Sequence, residues 1–402
     1  MSLKKLDNYK IFILSLLIFV IFFTILELLS FIILSKLSLI KKEYYPLIKE
    51  SKISTNEFEQ HLKNIKKANR KYYDIREYHP QLIYIYRPNL DYDTFKTNSL
   101  GIMDEEINHK KEKILLIGSS VVNGGLRQGY VENIDAHLEN ILNNENKNFQ
   151  VLNAGIGGYT SFQEKNFLEI YKKKIKPDHV IYMSSANDVD SKYRITNKYD
   201  KNIVRFYDNF HSLNLRFQID NLLKLKSSAI VSTKTYIPYF IKSLNMYKLY
   251  IRLMSYGVNS EAEYIKTNLE KKDYEIIKSI VDEYILNVEK MAKIIENDKT
   301  IKTFTVGIQP NIFTKKIKTK NEKIAENIIL NYMGYNYRNY YIFSQKLMLQ
   351  ELKKIQLNYQ KLRIINTHSI FDNNKIDVFR DNVHFFDYSN EEIAYFLSKN
   401  FN

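Results

Sequence analysis

Between Lys113 and Asp188, three short apolar runs alternate with two segments of helical period. Ile114–Ile117, Phe149–Leu152 and His179–Met183 read as buried strands: each is short, apolar and stopped by Gly, Asn or Ser. Tyr130–Leu142 places Ile134, Leu138, Ile141 and Leu142 on one helical face, and Ser161–Lys174 is a second helix, broken at Pro177-Asp178. Parallel strands need crossovers, and helices packed on the sheet supply them, so this alternation predicts an α/β fold with a parallel sheet. The three strand ends then lie on one edge. Each carries small or polar residues: Gly118-Ser119-Ser120, Asn153 to Gly158, and Ser184 to Asp188. Ligands of open α/β sheets bind at the carboxyl ends of strands. Ser120 sits at the mouth of a strand-to-helix turn, a place that suits a nucleophile. An ordinary βα turn fits the same residues.

The pattern resumes downstream. A long helix, Tyr274–Asn297, precedes a strand, Thr303–Ile308, stopped by Gln309-Pro310. Helices over Glu322–Leu330 and Tyr341–Gln356, a short strand Leu362–Ile365 and a last helix Ser389–Leu397 follow. Residues 189–270 differ, being rich in Tyr, Lys and Asn, with a helical piece at Lys242–Ser255. They read as a helical insertion or lid. Its aromatics Phe206, Phe210, Tyr236 and Tyr239 could line a pocket or simply pack a subdomain. Upstream, Leu82–Tyr86 and Tyr92–Lys96 look like short strands, and Thr97 to Gly101 like a turn.

Ile11–Ser35 is apolar apart from Glu27 and a few hydroxyls. At about 1.5 Å per residue, such a helix spans a hydrocarbon core with room for tilt. No small-residue cleavage site follows, so the segment reads as an uncleaved anchor. Glu27 reads as tolerated, neutralised or locally solvated, with helix packing the alternative. Lysines flank both ends, so the positive-inside rule does not fix the orientation. The chain divides into a tail (1–10), a transmembrane anchor (11–35), a juxtamembrane stalk (36–80, helical near Asn56–Ala68) and an α/β domain (81–402). The net charge of +15 comes from lysines spread along the whole chain beside abundant Asn, Ile and Tyr, so no nucleic-acid partner is expected. The absence of Cys excludes disulfides, thiolate metal sites and a Cys nucleophile.

A serine needs a base to take its proton. Of the eight His residues, only His384 joins a loop position near a sheet edge to an acid three residues before it. Asp381 could meet one imidazole nitrogen and leave the other for Ser120. A surface His in the loop before the last helix is the plainer alternative.

The blocks together resemble the SGNH (GDSL-type) hydrolase superfamily, and the lead-in Asn98-Ser-Leu-Gly101 and the Gln309-Pro310 strand end resemble its membrane-anchored bacterial subgroup. Gly118-Ser119-Ser120 with Gly124 matches the first block, Asn153 with Gly158 the second, Ser185-Ala186-Asn187-Asp188 the third, and Asp381 with His384 the fifth. The match runs from about Leu82 to Asn402, with the insertion unassigned. Two positions depart: Ser119 stands for the usual Asp, and Ser185 for the first Gly of the third block, which could narrow the oxyanion site. The resemblance implies a three-layer α/β/α, flavodoxin-like fold and a serine-dependent ester hydrolase with catalytic Ser120, Asp381 and His384. Its oxyanion hole would be the Ser120 and Gly158 N–H groups and the Asn187 amide. No metal or cofactor is implied. With an anchored, extracytoplasmic domain, the expected substrates are O-acyl groups of envelope or surface glycans, with lipid esters as competitor. An O-acyltransferase and a non-catalytic glycan-binding or scaffold protein are the alternatives.

Overall fold

Five strands form one parallel sheet: β5 (Glu112–Gly118), β6 (Phe149–Gly155), β7 (His179–Ser184), β8 (Thr303–Ile308) and β9 (Leu362–Ile365). Two short antiparallel pairs precede it, β1 (Arg76–His79) with β2 (Ile83–Tyr86) and β3 (Asp91–Tyr92) with β4 (Phe95–Lys96). The computed structural model describes residues 3–36, 75–92, 95–124, 133–145, 147–196, 244–246, 249, 269–334, 336–379, 381–386 and 388–401. The stalk helix expected near Asn56–Ala68, the insertion aromatics and most of Lys242–Ser255 lie outside these residues.

The sheet order is β6-β5-β7-β8-β9. Counted from its first strand in the chain, that is the flavodoxin-like order, with the topological switch point between β5 and β7. Crossovers between parallel strands are right-handed. The chain steps one way from β5 to β6 and then reverses to reach β7, β8 and β9, so its helices divide between the two faces. Helix α2 (Ile134–Asn144) packs with the last helix, α8 (Tyr388–Asn400). On the other face α5 (Lys271–Glu296) packs against both α3 (Ser161–Ile175) and α7 (Asn336–Gln356). Helices α4 (Ala186–Thr196) and α6 (Lys320–Met333) join this second group through α7.

Covered on both faces, β5 and β7 and the edge strand β6 have no solvent-facing side. Every residue of β6 and β7 is buried, as is all of β5 except Glu112. This is why their sequences are nearly continuous apolar runs rather than alternating ones. Each fully buried Ile or Leu, such as Ile114, Leu116 or Leu152, contributes roughly 1.5–3 kcal/mol through loss of water contact.

Several boundaries move from those read in the sequence, each for a local reason. Helix α5 starts at Lys271 because Asp273 reaches back to the Glu270 N–H at 2.8 Å. Helix α6 starts at Lys320 because Thr319 and Glu322 form a reciprocal capping box, at 3.0 and 3.1 Å. Helix α2 runs Ile134–Asn144 after its N-cap Asn133, while Tyr130 lies outside the described residues, and Val189 lies inside α4 rather than opening the insertion. Residues 75–80 also leave the stalk: Ile75 and Arg76 are buried, and β1 pairs with β2. A charged run such as Arg-Glu-Tyr-His gives no apolar alternation from which to read a strand.

Near the N-terminus, α1 (Leu3–Lys36) contains one stretch, Ile13–Ile33, long and apolar enough to cross a membrane by length and composition. Glu27, the acid within it, accepts the backbone N–H groups of Asn245 and, at 3.0 Å, Met246. The described part of the insertion thus touches α1 at the one acidic position of its apolar stretch.

Candidate active site

Ser120 follows β5 directly, in a tight turn closed by Asn123 N–H to Ser119 O (3.0 Å) and Gly124 N–H to Val121 O (3.2 Å). Helix α2 begins at Ile134, and residues 125–132 between it and the turn lie outside the described residues. Two glycines make the turn possible. A Cβ on Gly124, at φ +73°, would lie 1.9 Å from Asn133 Oδ1, and one on Gly155 would lie 2.4 Å from the Asn123 nitrogen. Bare backbone at these positions lets the end of β6 and the approach to α2 press against the turn.

Asn153 binds these pieces together. Its amide donates to Val122 O (2.8 Å) and to Asp135 Oδ1 (2.6 Å), while its Oδ1 accepts the Gly155 N–H (2.9 Å). The third block is tied to the second in turn. Asn187 Nδ2 donates to Tyr159 O at 2.7 Å. The neighbouring Asp188 accepts Ser161 Oγ at 2.6 Å, and Ser161 Oγ also accepts Asn287 Nδ2 at 3.0 Å. Beneath them Glu164 is fully buried and accepts Tyr182 Oη (2.8 Å) and Ser184 Oγ (2.9 Å). Burial, reinforced by the nearby Asp188 carboxylate, pushes the Glu164 carboxyl well above its usual range.

Asp381 and His384 come from the loop before α8. His384 Nε2 lies 2.8 Å from Ser120 Oγ, and His384 Nδ1 lies 2.8 Å from Asp381 Oδ2. The other carboxylate oxygen accepts the Val383 and His384 N–H groups at 2.9 and 2.8 Å. Burial raises the Asp381 carboxyl, but the facing His384 ring and these hydrogen bonds outweigh it and hold the group well below the usual carboxylate range. An ionised Asp381 fixes the proton on Nδ1 and leaves the Nε2 lone pair toward the Ser120 hydroxyl. The side chain keeps 46% of its exposure, so solvent screens what the pair adds to stability.

Ser120 is therefore the serine that meets His384. Ser119 is buried, and its Oγ has no hydrogen-bond partner among the described residues. Among those residues the Ser120 and Gly158 N–H groups also have no acceptor. Gly158 has φ +89° and stands exposed at the strand-end loop. Asn187 commits one amide hydrogen to Tyr159 O and keeps the second, since a carboxamide nitrogen carries two. The strand ends are lateral neighbours, with Gly118 opposite both Gly155 and Met183, so Ser120, Gly158 and Asn187 share one edge. Among the described residues no other histidine hydrogen-bonds Ser120. His179 is at the opposite edge, between Glu112 (2.9 Å) and Thr303 (2.7 Å).

The departure at Ser185 has its own support. Its φ of +153° is one that side-chain-bearing residues seldom adopt. Ser185 is nonetheless fully buried, and Oγ accepts Gln345 Nε2 at 3.1 Å. Gln345 also donates to Gln309 O (3.2 Å) and accepts Asn311 Nδ2. The hydroxyl is thus taken up in a buried polar network under α7 and does not project into the open site, contrary to the narrowing expected from the sequence. Nothing in the sequence marks Gln345 for this role, because its partners lie far away in the chain. Tyr84, Tyr86 and Arg76, which contact the Gly157 backbone, were likewise unmarked.

No protein-family model matches the sequence, and no curated protein matches it. Among solved structures, a catalytic mutant of an acetylxylan esterase from Geobacillus stearothermophilus is 16% identical, with 72% of this chain and 93% of that one aligned at a TM-score of 0.37. A lipase/acylhydrolase from Enterococcus faecalis is 12% identical, with 72% and 94% covered and a TM-score of 0.36. A gut microbial diltiazem-metabolizing enzyme is 14% identical, with 72% of this chain but only 46% of that one covered, at a TM-score of 0.38. Likeness this distant carries no weight for activity or site. What stands is a parallel, flavodoxin-ordered sheet with Ser120, His384 and Asp381 in one hydrogen-bonded chain at its carboxyl edge.

Proposed function

We propose that this chain is a serine esterase of the SGNH type. The observation that carries the reading is the relay from Ser120 Oγ through His384 to Asp381, with both links at 2.8 Å. His384 Nε2 takes the Ser120 proton as Oγ attacks an ester carbonyl, and Asp381 steadies the imidazolium that forms. The Ser120 and Gly158 N–H groups and the second Asn187 amide hydrogen receive the developing oxyanion. Loss of one such donor elsewhere costs about 3–4 kcal/mol in the barrier. His384 then returns the proton to the leaving alcohol, and a water activated by the same ring releases the acyl group from Ser120.

The apolar helix α1 supports membrane anchoring, and an extracytoplasmic domain fits O-acyl groups of envelope or surface glycans as substrates. Turnover of small acetyl esters, followed in detergent with the full chain, tests the assignment. Ser120→Ala should abolish it, and Ser119→Ala should retain it. The reverse result would shift the first block by one residue. No turnover by the wild type on acetyl or longer acyl esters would sink the esterase reading.

A further inference from the structure

The lead-in hairpin β1–β2 lies outside the α/β sheet, yet its side chains converge on one peptide group of the second block. Tyr84 Oη donates to Gly157 O at 2.9 Å, and Arg76 Nη2 donates to the same oxygen at 3.0 Å. The Arg76 guanidinium carbon also sits 4.4 Å from the centre of the Tyr84 ring, so the two donors support each other. On the other side of the residue, the Gly157 N–H donates to Tyr86 Oη at 3.3 Å, and Asn123 Nδ2 donates to that hydroxyl at 2.7 Å. All three hairpin side chains are buried.

We infer that Arg76 and Tyr84 are positioning residues for the reaction: by donating to the Gly157 carbonyl they aim and polarise the Gly158 N–H as an oxyanion donor. This rests on the esterase reading above. Gly157 O and Gly158 N–H belong to the same peptide unit, and the chain contains no cis peptide bond among its described residues. In a trans peptide the C=O and N–H point in opposite directions. Two donors that fix the oxygen toward the hairpin therefore fix the N–H away from it. Donation to a carbonyl, above all from a cation, draws charge through the conjugated amide and makes its N–H a stronger donor. Burial pushes the Tyr84 phenol up to about 12 against the pull of Arg76, so its hydroxyl keeps the proton that it donates.

The clamp also accounts for glycine at position 158. A Cβ there would come 2.8 Å from Tyr84 Oη, the atom that holds the carbonyl, and the φ of +89° disfavours any side chain. The Gly158 N–H itself has no acceptor among the described residues. A peptide held at its carbonyl by two buried donors and left open at its N–H has the form that a preorganised oxyanion site requires.

The test compares Tyr84→Phe, Arg76→Met and Arg76→Lys in the full chain in detergent, by steady-state kinetics on an acetyl ester. The clamp predicts that kcat falls about tenfold or more in Tyr84→Phe and Arg76→Met, short of the roughly 100- to 1,000-fold that follows outright loss of a donor. KM should hold, and Arg76→Lys should recover part of the loss. A spectroscopic readout separates this from general damage. The only Gly-Gly peptides in the sequence are Gly124-Gly125 and Gly157-Gly158. Protein labelled with carbonyl-13C and 15N glycine thus gives two correlated carbonyl–amide signals, assigned with Gly125→Ala. The Gly157 carbonyl signal should move upfield in Tyr84→Phe and Arg76→Met. Wild-type turnover with unchanged kcat in both variants, a change confined to KM, or an unmoved carbonyl signal would overturn the clamp. Absence of wild-type turnover would instead overturn the esterase reading, and the catalytic part of the clamp with it.

Discussion

Ser120, His384 and Asp381 act, on this reading, as one unit, and units show themselves in double mutants. His384→Ala should lower kcat by about 10⁴-fold or more, and Asp381→Asn should lose much of the same factor by freeing the wrong tautomer. The double variant should be little worse than His384→Ala alone, while Asn187→Ala should combine with the His384 loss more nearly additively. Near-normal turnover in folded His384→Ala would place the base elsewhere. The sequence made Asp381 and His384 legible because both sit on one loop, three residues apart, and their contact is local. Ser120 was distinguishable from Ser119 only through the spacing to Gly124. The partners of Ser185 and Gly157 were not legible: Gln345 and Arg76 reach them across long stretches of chain, and no local pattern records such a contact.

At the level of elements, the loop that carries the relay is held by a buried ion pair. Lys315 Nζ lies 2.7 and 2.8 Å from the two Glu322 oxygens, and the side chains are 1% and 0% exposed. Glu322 Oε1 also accepts the Val378 N–H at 2.8 Å, and Lys315 donates to Ile376 O at 2.9 Å. Glu322→Ala should cost about 3–5 kcal/mol, since it strands a buried cation, whereas the apolar pair Lys315→Met with Glu322→Leu should cost less. Thermal melting checks both. Equal losses in the single and paired variants would deny the pair this role.

A second element-scale prediction concerns pH. Burial, against the pull of Asp372, lowers the His368 ring from 6.5 to about 4, and its Nε2 has no hydrogen-bond partner among the described residues. The unfolded chain takes up this proton near pH 6.5 and the folded chain only near 4, so stability falls with pH across that window and the loss levels off below it. The ceiling is about 3 kcal/mol, reduced by solvent at the half-buried ring. His368→Gln should flatten this part of a urea-stability profile, and an unchanged slope would contradict the shift. The sheet elements were legible because strands buried on both faces must be apolar throughout. Strand β1 was not, since its burial comes from Arg76 binding Gly157 rather than from an apolar face.

Across the whole molecule, one apolar helix precedes a site that opens at the carboxyl edge of the sheet. If α1 anchors the chain with its α/β domain outside the cytoplasm, a phosphatase fused after Asn402 should be active only on export. A stable, inactive fusion would remove surface glycans from the substrates considered. The α/β order of the domain could be read from strand–helix alternation alone, but the contact between Glu27 and the insertion could not, because it joins segments separated by most of the chain. Activation of Ser120 as a nucleophile by His384 is the claim on which the rest depends. Labelling the full chain with a fluorophosphonate and mapping the adduct by peptide mass spectrometry tests it most directly. One adduct should form, on Ser120, persisting in Ser119→Ala and lost in His384→Ala. An adduct on Ser119, or none on a folded wild-type chain, would contradict it.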